Sequence, residues 1–162
     1  MLRVRNAEPA DAKLLKNMIE EMGKHERLPV SITEQKLAAD GFGPNPKFRA
    51  LIAEWDRQPA GYALVYDCYS SFQGCGIFLE DLYVSPQFRG KKVGKALLSR
   101  VAAIASQQDC FGIMFNVLDW NHSAFEFFEN AGAIALNDRR TLCLSGSALQ
   151  AAASHQTTSV KA

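Results

Sequence analysis

Apolar residues recur at helical spacing in three stretches of the chain. The first follows Pro9, which suits the opening turn of a helix, and places five apolar residues on one face: Leu14, Leu15, Met18, Ile19 and Met22. A short second helix is predicted after the capping-box sequence Ser31-Ile32-Thr33-Glu34, ending at Gly41. The third is predicted over about residues 93–106, and its apolar face carries Val93, Leu97, Leu98, Val101 and Ile104.

Short apolar or alternating runs, bounded by turn residues, predict the strands. They cover residues 2–6, 48–55, 61–66, 77–84, 112–118 and 140–144. Another helix is predicted over 123–131, with Gly132 as its left-handed cap. This order of strands and helices indicates a mixed α/β domain around one sheet. The domain is expected to span 1–149, and residues 150–162 are expected to form a frayed tail.

Composition and charge narrow the class of protein. The chain has 162 residues and a net charge of +1, which argues against a nucleic-acid partner bound through a broad basic field. No apolar stretch has the length of a membrane span, and the N-terminus has no signal-peptide pattern, so no membrane partner and a cytoplasmic location are expected. The cysteines lack metal-ligand spacing and are expected to be reduced thiols, with no metal bound: Cys68, Cys75, Cys110 and Cys143.

The strongest local signal lies where the strand 77–84 runs through a glycine-containing turn into the helix that begins near Val93. A helix start has unpaired N–H groups and the positive end of the helix dipole, which together favour phosphate binding. Gly90 and Gly94 let the backbone approach a ligand, and four cations surround the turn: Arg89, Lys91, Lys92 and Lys95. From these residues alone, a solvated basic helix start is an equally good interpretation.

The run Arg89-Gly90-Lys91-Lys92-Val93-Gly94 resembles the acetyl-CoA loop of the GNAT acetyltransferases, [QR]-x-x-G-x-[GA], except that Lys92 stands at the middle glycine. Further motifs are similar to the diamine (spermidine/spermine) and thialysine acetyltransferases of that superfamily, and the similarity runs from about residue 2 to residue 135. They are Asp40-Gly41-Phe42-Gly43, Leu79-Glu80-Asp81 with Tyr83-Val84, and Val117-Leu118-Asp119-Trp120-Asn121.

The resemblance implies a GNAT fold, in which a single, mostly antiparallel sheet is flanked by helices and a splayed parallel strand pair forms the CoA cleft. It also implies a homodimer and an acetyl-CoA-dependent transfer to a small primary amine, by direct attack of the amine on the thioester. The implied cofactor contacts are Leu82, Tyr83, Val84, Arg89, Gly90, Lys91, Lys92, Val93, Gly94, Lys95, Asn121, His122, Ser123, Ala124 and Phe128. For Asn121, simple N-capping of the next helix is the alternative.

The acceptor site is implied by acidic residues. Glu80 is expected to bind the cationic amine and relay its proton through water, while Asp81, His25 and Glu26 shape the amine site. Adjacent residues on a strand point to opposite faces, so Glu80 and Asp81 are expected to differ in environment. The alternatives are a salt-bridged or edge carboxylate for this pair, and a solvated helix end for His25 and Glu26.

Two departures from the family pattern bear on the chemistry. Phe128 stands where relatives have a tyrosine that protonates the leaving thiolate, and Tyr83 or water is a substitute donor. The backbone N–H of Leu82 or Tyr83 is the candidate oxyanion donor. The segment Asp138-Arg139-Arg140-Thr141 lacks the Gly-Trp of relatives. Two alternative functions therefore remain: a protein or peptide N-acetyltransferase, and a catalytically weakened acetyl-CoA binder.

Overall fold

One sheet organises the first part of the chain, with strands in the order β1-β2-β3-β4-β5. The strands are β1 (Leu2–Asn6), β2 (Arg49–Trp55), β3 (Gln58–Ser70), β4 (Gly74–Val84) and β5 (Ile113–Met114). Neighbours are antiparallel except for the β4–β5 pair, which is parallel. The predicted mixed α/β class and mostly antiparallel sheet are confirmed.

A computed structural model describes residues 1–154, which fall into two compact units, one over Met1–Asn116 and one that begins at Val117. The first unit holds the sheet, short 3-10 turns at Pro9–Asp11 and Pro86–Phe88, and the helices α1 (Ala12–Glu26), α2 (Glu34–Phe42) and α3 (Val93–Gln107). The second holds α4 (His122–Asn130) and α5 (Gly146–Ser154). As predicted, α4 is followed by Gly132 in the left-handed region, with φ of 96°.

The core of the first unit has two layers, one on each face of the sheet. On one face, α1 and α2 cover a cluster of buried residues: Leu15, Met18, Leu37, Ala50, Ile52, Tyr62, Leu64 and Tyr83. On the other face, α3 packs on β2, β3 and β4 through Val93, Leu97, Val101 and Ala105. Because helices cover both faces, the central strands are buried on both sides, which explains their nearly continuous apolar sequence.

Several predicted boundaries are wrong. The capping box does not form, because α2 begins after Thr33, whose side chain accepts a hydrogen bond from the N–H of Lys36 at 3.1 Å. The predicted strand 112–118 is reduced to Ile113–Met114. The stretch 140–144 is not a strand; a strand needs a neighbour for its backbone groups, and none pairs with it in the described chain, where residues 134–145 are exposed.

The predicted frayed tail overlaps α5, which runs to Ser154, and its residues 155–162 lie outside the described residues. The cysteines are free thiols, with the Sγ atoms of Cys75 and Cys110 3.3 Å apart. Among residues 1–154, no group of three His, Cys, Asp or Glu side chains could hold a metal ion. Of the helices formed by these residues, none has the length and apolar character needed to cross a membrane.

Gly61 allows β3 and β4 to approach closely near the end of β4. It pairs with Val84, and a Cβ atom at position 61 would stand 2.3 Å from the carbonyl oxygen of Tyr83. The carbonyl oxygen and the backbone of Gly61 both belong to the hydrogen-bonded pairing of β3 and β4, so neither strand can move away without breaking hydrogen bonds. The absence of a side chain at residue 61 therefore fixes the position of the strand segment that leads into the α3 loop.

We predict that Gly61→Ala lowers the free energy of unfolding by about 2 kcal/mol, because the added methyl overpacks a backbone contact. Urea unfolding followed by circular dichroism measures the change. Gly112→Ala is the matched control, since a Cβ at residue 112 meets nothing within 4 Å. Equal stability of the two variants would show that β3 and β4 can separate at no cost.

Candidate functional site

A β-bulge in the middle of β4 shapes the candidate site. Leu64 on β3 pairs with Asp81, but the next β3 residue, Val65, pairs with Leu79, so Glu80 is an extra residue without a partner on β3. An extra residue shifts the alternation of side chains along the strand. Leu79 is buried, Glu80 is exposed and Asp81 is half-buried. The environments of the two carboxylates thus differ, as expected, but through a bulge and not through simple alternation.

Asp81 lies under α1, where its carboxylate is held by a buried tyrosine. The Tyr62 hydroxyl, on β3, donates a hydrogen bond of 2.9 Å to Oδ2 of Asp81. Burial raises the pKa of Asp81 to about 6; the hydrogen bond from Tyr62 opposes this, and the charges of Glu80 and Glu26 add to it. Asp81 is therefore a carboxyl group that ionises close to neutral pH.

Glu26, Glu80 and Asp81 form what we call the acidic cluster. Burial raises the pKa of Glu26, and the neighbouring His25 opposes that shift. Burial also raises the pKa of Tyr66, and the carboxylate of Glu80 adds to this. The end of α1 and the bulge of β4 thus bring three carboxylates into mutual electrostatic reach, which favours a bound cation.

Tyr83 points toward α1 and not toward the loop before α3. Its hydroxyl donates a hydrogen bond of 3.0 Å to Oε2 of Glu21. Burial raises the pKa of Tyr83, and the bond to Glu21 adds to this shift. Beside this pair lies a cavity of about 520 Å³, which His25 also lines. We call it the α1 cavity.

The backbone of β4 presents free donors on the side away from β3. The N–H of Ser85 donates to the carbonyl of Ala60 at 2.9 Å, and the register is regular from that pair to Asp81. In an antiparallel ladder hydrogen-bonded residues alternate, so the N–H groups of Leu82 and Val84 point away from β3. Within residues 1–116, pairing with β5 stops at Phe78 and Met114, so β4 runs beyond its parallel neighbour here.

The loop before α3 has two backbone positions in the left-handed region. Gly90 has φ of 76°, and Lys92, the residue before the helix, has φ of 65°. The second value explains why glycine is usual at that position of the motif, because a side chain there costs roughly 1 kcal/mol or more. Val93, Gly94 and Lys95 form the first turn of α3, whose N–H groups have no acceptor within the helix.

The cations of this loop differ in their surroundings. Arg89 donates from Nε to the carbonyl oxygen of Val84 at 3.1 Å, which fixes the guanidinium beside the end of β4. The Lys91 ammonium lies 5.4 Å from the Trp55 ring centroid and 5.3 Å from that of Phe88, within cation–π distance. Lys92 and Lys95 are exposed at the helix start. The loop therefore offers donors and positive charge to an anion.

The remaining predicted residues lie in the second unit. Asn121 caps α4, as its Oδ1 accepts from the N–H of Ala124 at 3.2 Å and from the hydroxyl of Ser123 at 3.1 Å. Asn121 therefore caps α4, and this role is compatible with a coenzyme contact from the same helix start. His122 is exposed, and Phe128 packs edge-on against Phe127 with centroids 5.1 Å apart.

Sequence reasoning missed two residues of the site, Tyr62 and Glu21. A signal existed for Tyr62, since a buried tyrosine in an apolar strand needs a partner for its hydroxyl. Glu21 shows no comparable signal: it is one of several charged residues on α1, and only the fold places it against Tyr83.

Known proteins resemble this chain in sequence and in fold. Residues 13–133 match the model of the acetyltransferase (GNAT) family. The chain is 38% identical over 146 residues to a thialysine N-epsilon-acetyltransferase of Mus musculus, and the alignment covers 84% of this chain and 86% of the mouse protein. It is 37% identical over 145 residues to the protein of the same name from Sus scrofa, where the alignment covers 83% of this chain and 85% of the pig protein. An integron cassette protein from the V. cholerae mobile metagenome superposes with a TM-score of 0.78 at 20% identity, covering 94% of this chain and 97% of that chain.

We predict that Asp81→Asn stabilises the protein at pH 7.5 by roughly 2 kcal/mol. The folded state raises the pKa of Asp81 from 3.8 to about 6, so ionisation costs more in the folded state than in the unfolded state. The wild type therefore loses stability as the pH rises through this range, and the gain in Asp81→Asn should shrink as the pH falls from about 6 toward 4.

Urea unfolding at several pH values measures the difference, with Asp109→Asn as an exposed control. A gain that does not vary with pH would contradict burial as its cause.

Proposed function

The chain belongs to the acetyltransferase (GNAT) family, and on that premise we propose that it transfers the acetyl group of acetyl-CoA to a small primary amine. The observation that carries the proposal is the separation of charge along one strand. The acidic cluster lies at the bulge of β4, and the basic loop follows the end of the same strand. A cationic acceptor would be attracted to the middle of β4, and an anionic donor to the loop that follows its C-terminal end.

On the donor side, the loop before α3 fits a pyrophosphate. Left-handed backbone at Gly90 and Lys92 precedes the free N–H groups of Val93, Gly94 and Lys95, and the side chains of Arg89, Lys91, Lys92 and Lys95 supply positive charge. The N–H groups of Leu82 and Val84 would bind the pantetheine arm and the thioester oxygen, and Leu82 is our candidate oxyanion donor. By resemblance, Asn121, His122, Ser123, Ala124 and Phe128 would complete the coenzyme contacts.

On the acceptor side, the acidic cluster would bind the ammonium group. An alkylammonium has a pKa of about 10.4, so it must lose a proton before its nitrogen can attack. Glu80 is exposed at the bulge and would take that proton through water. Asp81, fixed by Tyr62, would hold the nitrogen in place with Glu26 and His25. The C–N bond then forms as the C–S bond breaks, the nitrogen releases its second proton to water, and the thiolate leaves.

Neither aromatic candidate is well suited to protonate the leaving sulfur. Phe128 has no acidic proton, and the Tyr83 hydroxyl donates to Glu21 under α1. We therefore propose that the sulfur departs as its anion or takes a proton from water, since a thiol has a pKa of only about 8.5. Tyr83 would then act by packing under α1, which holds the neighbouring Leu82 N–H in position.

The names of the relatives support an acceptor with a terminal amine. The mouse and pig proteins are named for thialysine, a lysine-like amino acid. A lysine-like amino acid, a diamine or a polyamine is therefore the proposed acceptor class. Each of them presents a primary ammonium group to the acidic cluster.

We also propose that the protein is a homodimer. In the second unit several large apolar side chains are exposed, among them Ile134 at 82% and Leu142 at 92%. Exposed apolar residues grouped in one segment are typical of a protein interface.

Sedimentation velocity should give twice the mass of 17.9 kDa, and Leu142→Asp should shift the distribution toward the monomer. A monomeric wild type would contradict this proposal.

We predict that Glu80→Gln lowers kcat/KM for amine acetylation by roughly 100-fold or more, because the proton acceptor is lost. Release of free CoA thiol, measured with acetyl-CoA and a panel of amines, reports the activity. Glu34→Gln, at the exposed start of α2, is the control with an unchanged rate. No amine-dependent thiol release by the wild type would refute the proposed function; full activity of Glu80→Gln would refute only the role of Glu80.

A further inference from the structure

Two thiols that the mechanism above does not use lie in contact within the first unit. The Sγ atoms of Cys75 and Cys110 are 3.3 Å apart, and both side chains are partly exposed. Cys75 lies near the start of β4, and Cys110 lies between α3 and β5. The two thiols are therefore at the opposite end of β4 from the loop that precedes α3. We call this pair the dithiol.

Backbone hydrogen bonds hold both cysteines in place. The N–H of Phe111 donates to the carbonyl oxygen of Cys75 at 2.9 Å, which ties the segment before β5 to β4. The N–H of Cys110 donates to the carbonyl oxygen of Ala105 at 2.9 Å, which ties the same segment to the end of α3. The contact between the two sulfur atoms thus rests on the fold of the backbone and not only on two side-chain rotamers.

The third cysteine of the first unit lies on the other face of the sheet. Cys68 on β3 pairs with Gly76, and a Cβ atom at residue 76 would stand 3.1 Å from Sγ of Cys68. Neighbouring residues of a strand point to opposite faces, so the side chain of Cys75 points away from that of Cys68. Cys68 is therefore a nearby thiol that does not belong to the dithiol.

The two thiols of the pair differ in their expected order of reaction. Burial and the hydrogen bond with Cys75 raise the pKa of Cys110, so the Cys110 thiol is protonated at neutral pH. A thiolate is the form that attacks an oxidant, which makes Cys110 a poor first nucleophile. Its sulfur nevertheless lies 3.3 Å from that of Cys75, so it is well placed to attack Cys75 once that sulfur has been oxidised.

We propose that Cys75 and Cys110 are a modification site at which hydrogen peroxide produces a reversible intramolecular disulfide. The peroxide transfers one oxygen atom to the Cys75 thiol, which gives a sulfenic acid and one water molecule. The Cys110 thiol then attacks the Cys75 sulfur; the S–S bond forms as the S–O bond breaks, and a second water molecule leaves. The two thiols together lose two electrons and two protons, and the O–O bond of the peroxide is reduced. This inference does not rest on acetyl transfer.

The disulfide would tie the end of α3 to the start of β4. It would close a ring between residues 75 and 110, which includes most of β4, the loop before α3 and the whole of α3. Such a cross-link restricts the unfolded chain more than the folded chain, because the folded backbone is already held at both cysteines. We expect the oxidised protein to unfold at a temperature roughly 5 °C or more above that of the reduced protein.

The test uses the full chain with Cys68→Ser and Cys143→Ser, so that only the dithiol remains. The protein is reduced, separated from the reductant and treated with hydrogen peroxide. Free thiols should fall from two to none, and the intact mass should decrease by the mass of two hydrogen atoms. Tryptic peptides 58–89 and 101–139 should be linked to each other in a single chain. Dithiothreitol should reverse each change, including the gain in thermal stability.

Cys110→Ser in the same background is the matched control, because it keeps Cys75 and removes its partner. It should give no linked peptides and no thermal stabilisation after treatment. The wild type is digested in parallel, so the linkage is tested even if a variant fails to fold. Free thiols that persist, sulfinic acids without a linkage, or linkage only between different chains would overturn the modification site. An oxidised protein no more stable than the reduced one would overturn the effect of the cross-link.

Discussion

The extra residue at position 80 is the constraint on which the candidate site depends. In a regular strand Asp81 would face α3, on the side of Leu79, and its carboxylate would enter an apolar layer. The bulge reverses the alternation after Leu79, so that Asp81 and Tyr83 face α1 together. It also turns the N–H groups of Leu82 and Val84 away from β3, because the change of alternation applies to the backbone as well as to the side chains.

Placing Asp81 under α1 removes water from its carboxylate, and neighbouring residues only partly compensate for that loss. A carboxylate under α1 loses hydration, which is unfavourable unless hydrogen bonds replace the water. The buried Tyr62 hydroxyl provides one such bond, and the neighbouring carboxylates oppose the ionised form. The folded state is therefore least stable when the three carboxylates are ionised and no cation is bound. A bound cation would reduce the repulsion between them and offset part of the lost hydration. A binding site that holds like charges together is expected to lower stability in this way.

The sequence was sufficient for features that depend on local pattern. The strand ending at Val84, the basic turn and the helix from Val93 are contiguous, so their order alone predicts the strand–turn–helix geometry of this segment. The bulge, the short β5 and the Tyr62–Asp81 bond could not be predicted, because each depends on the register of strands distant in sequence. Residues 140–144 illustrate the converse: their apolar content was compatible with a strand, but a strand forms only where a partner accepts its backbone bonds.

Lys92 shows how a motif departure can be tolerated and even useful. The backbone at residue 92 keeps a left-handed φ of 65° although the glycine that favours it is absent, so the loop geometry is imposed by its surroundings and not by residue 92. The Arg89 bond to Val84 on one side and the first turn of α3 on the other hold the loop in place. The side chain at residue 92 costs roughly 1 kcal/mol of strain but adds a cation at the helix start. Because the geometry survives the substitution, the charge is gained without losing the N–H groups that would bind a phosphate, and the departure strengthens the electrostatic contrast with the acidic cluster.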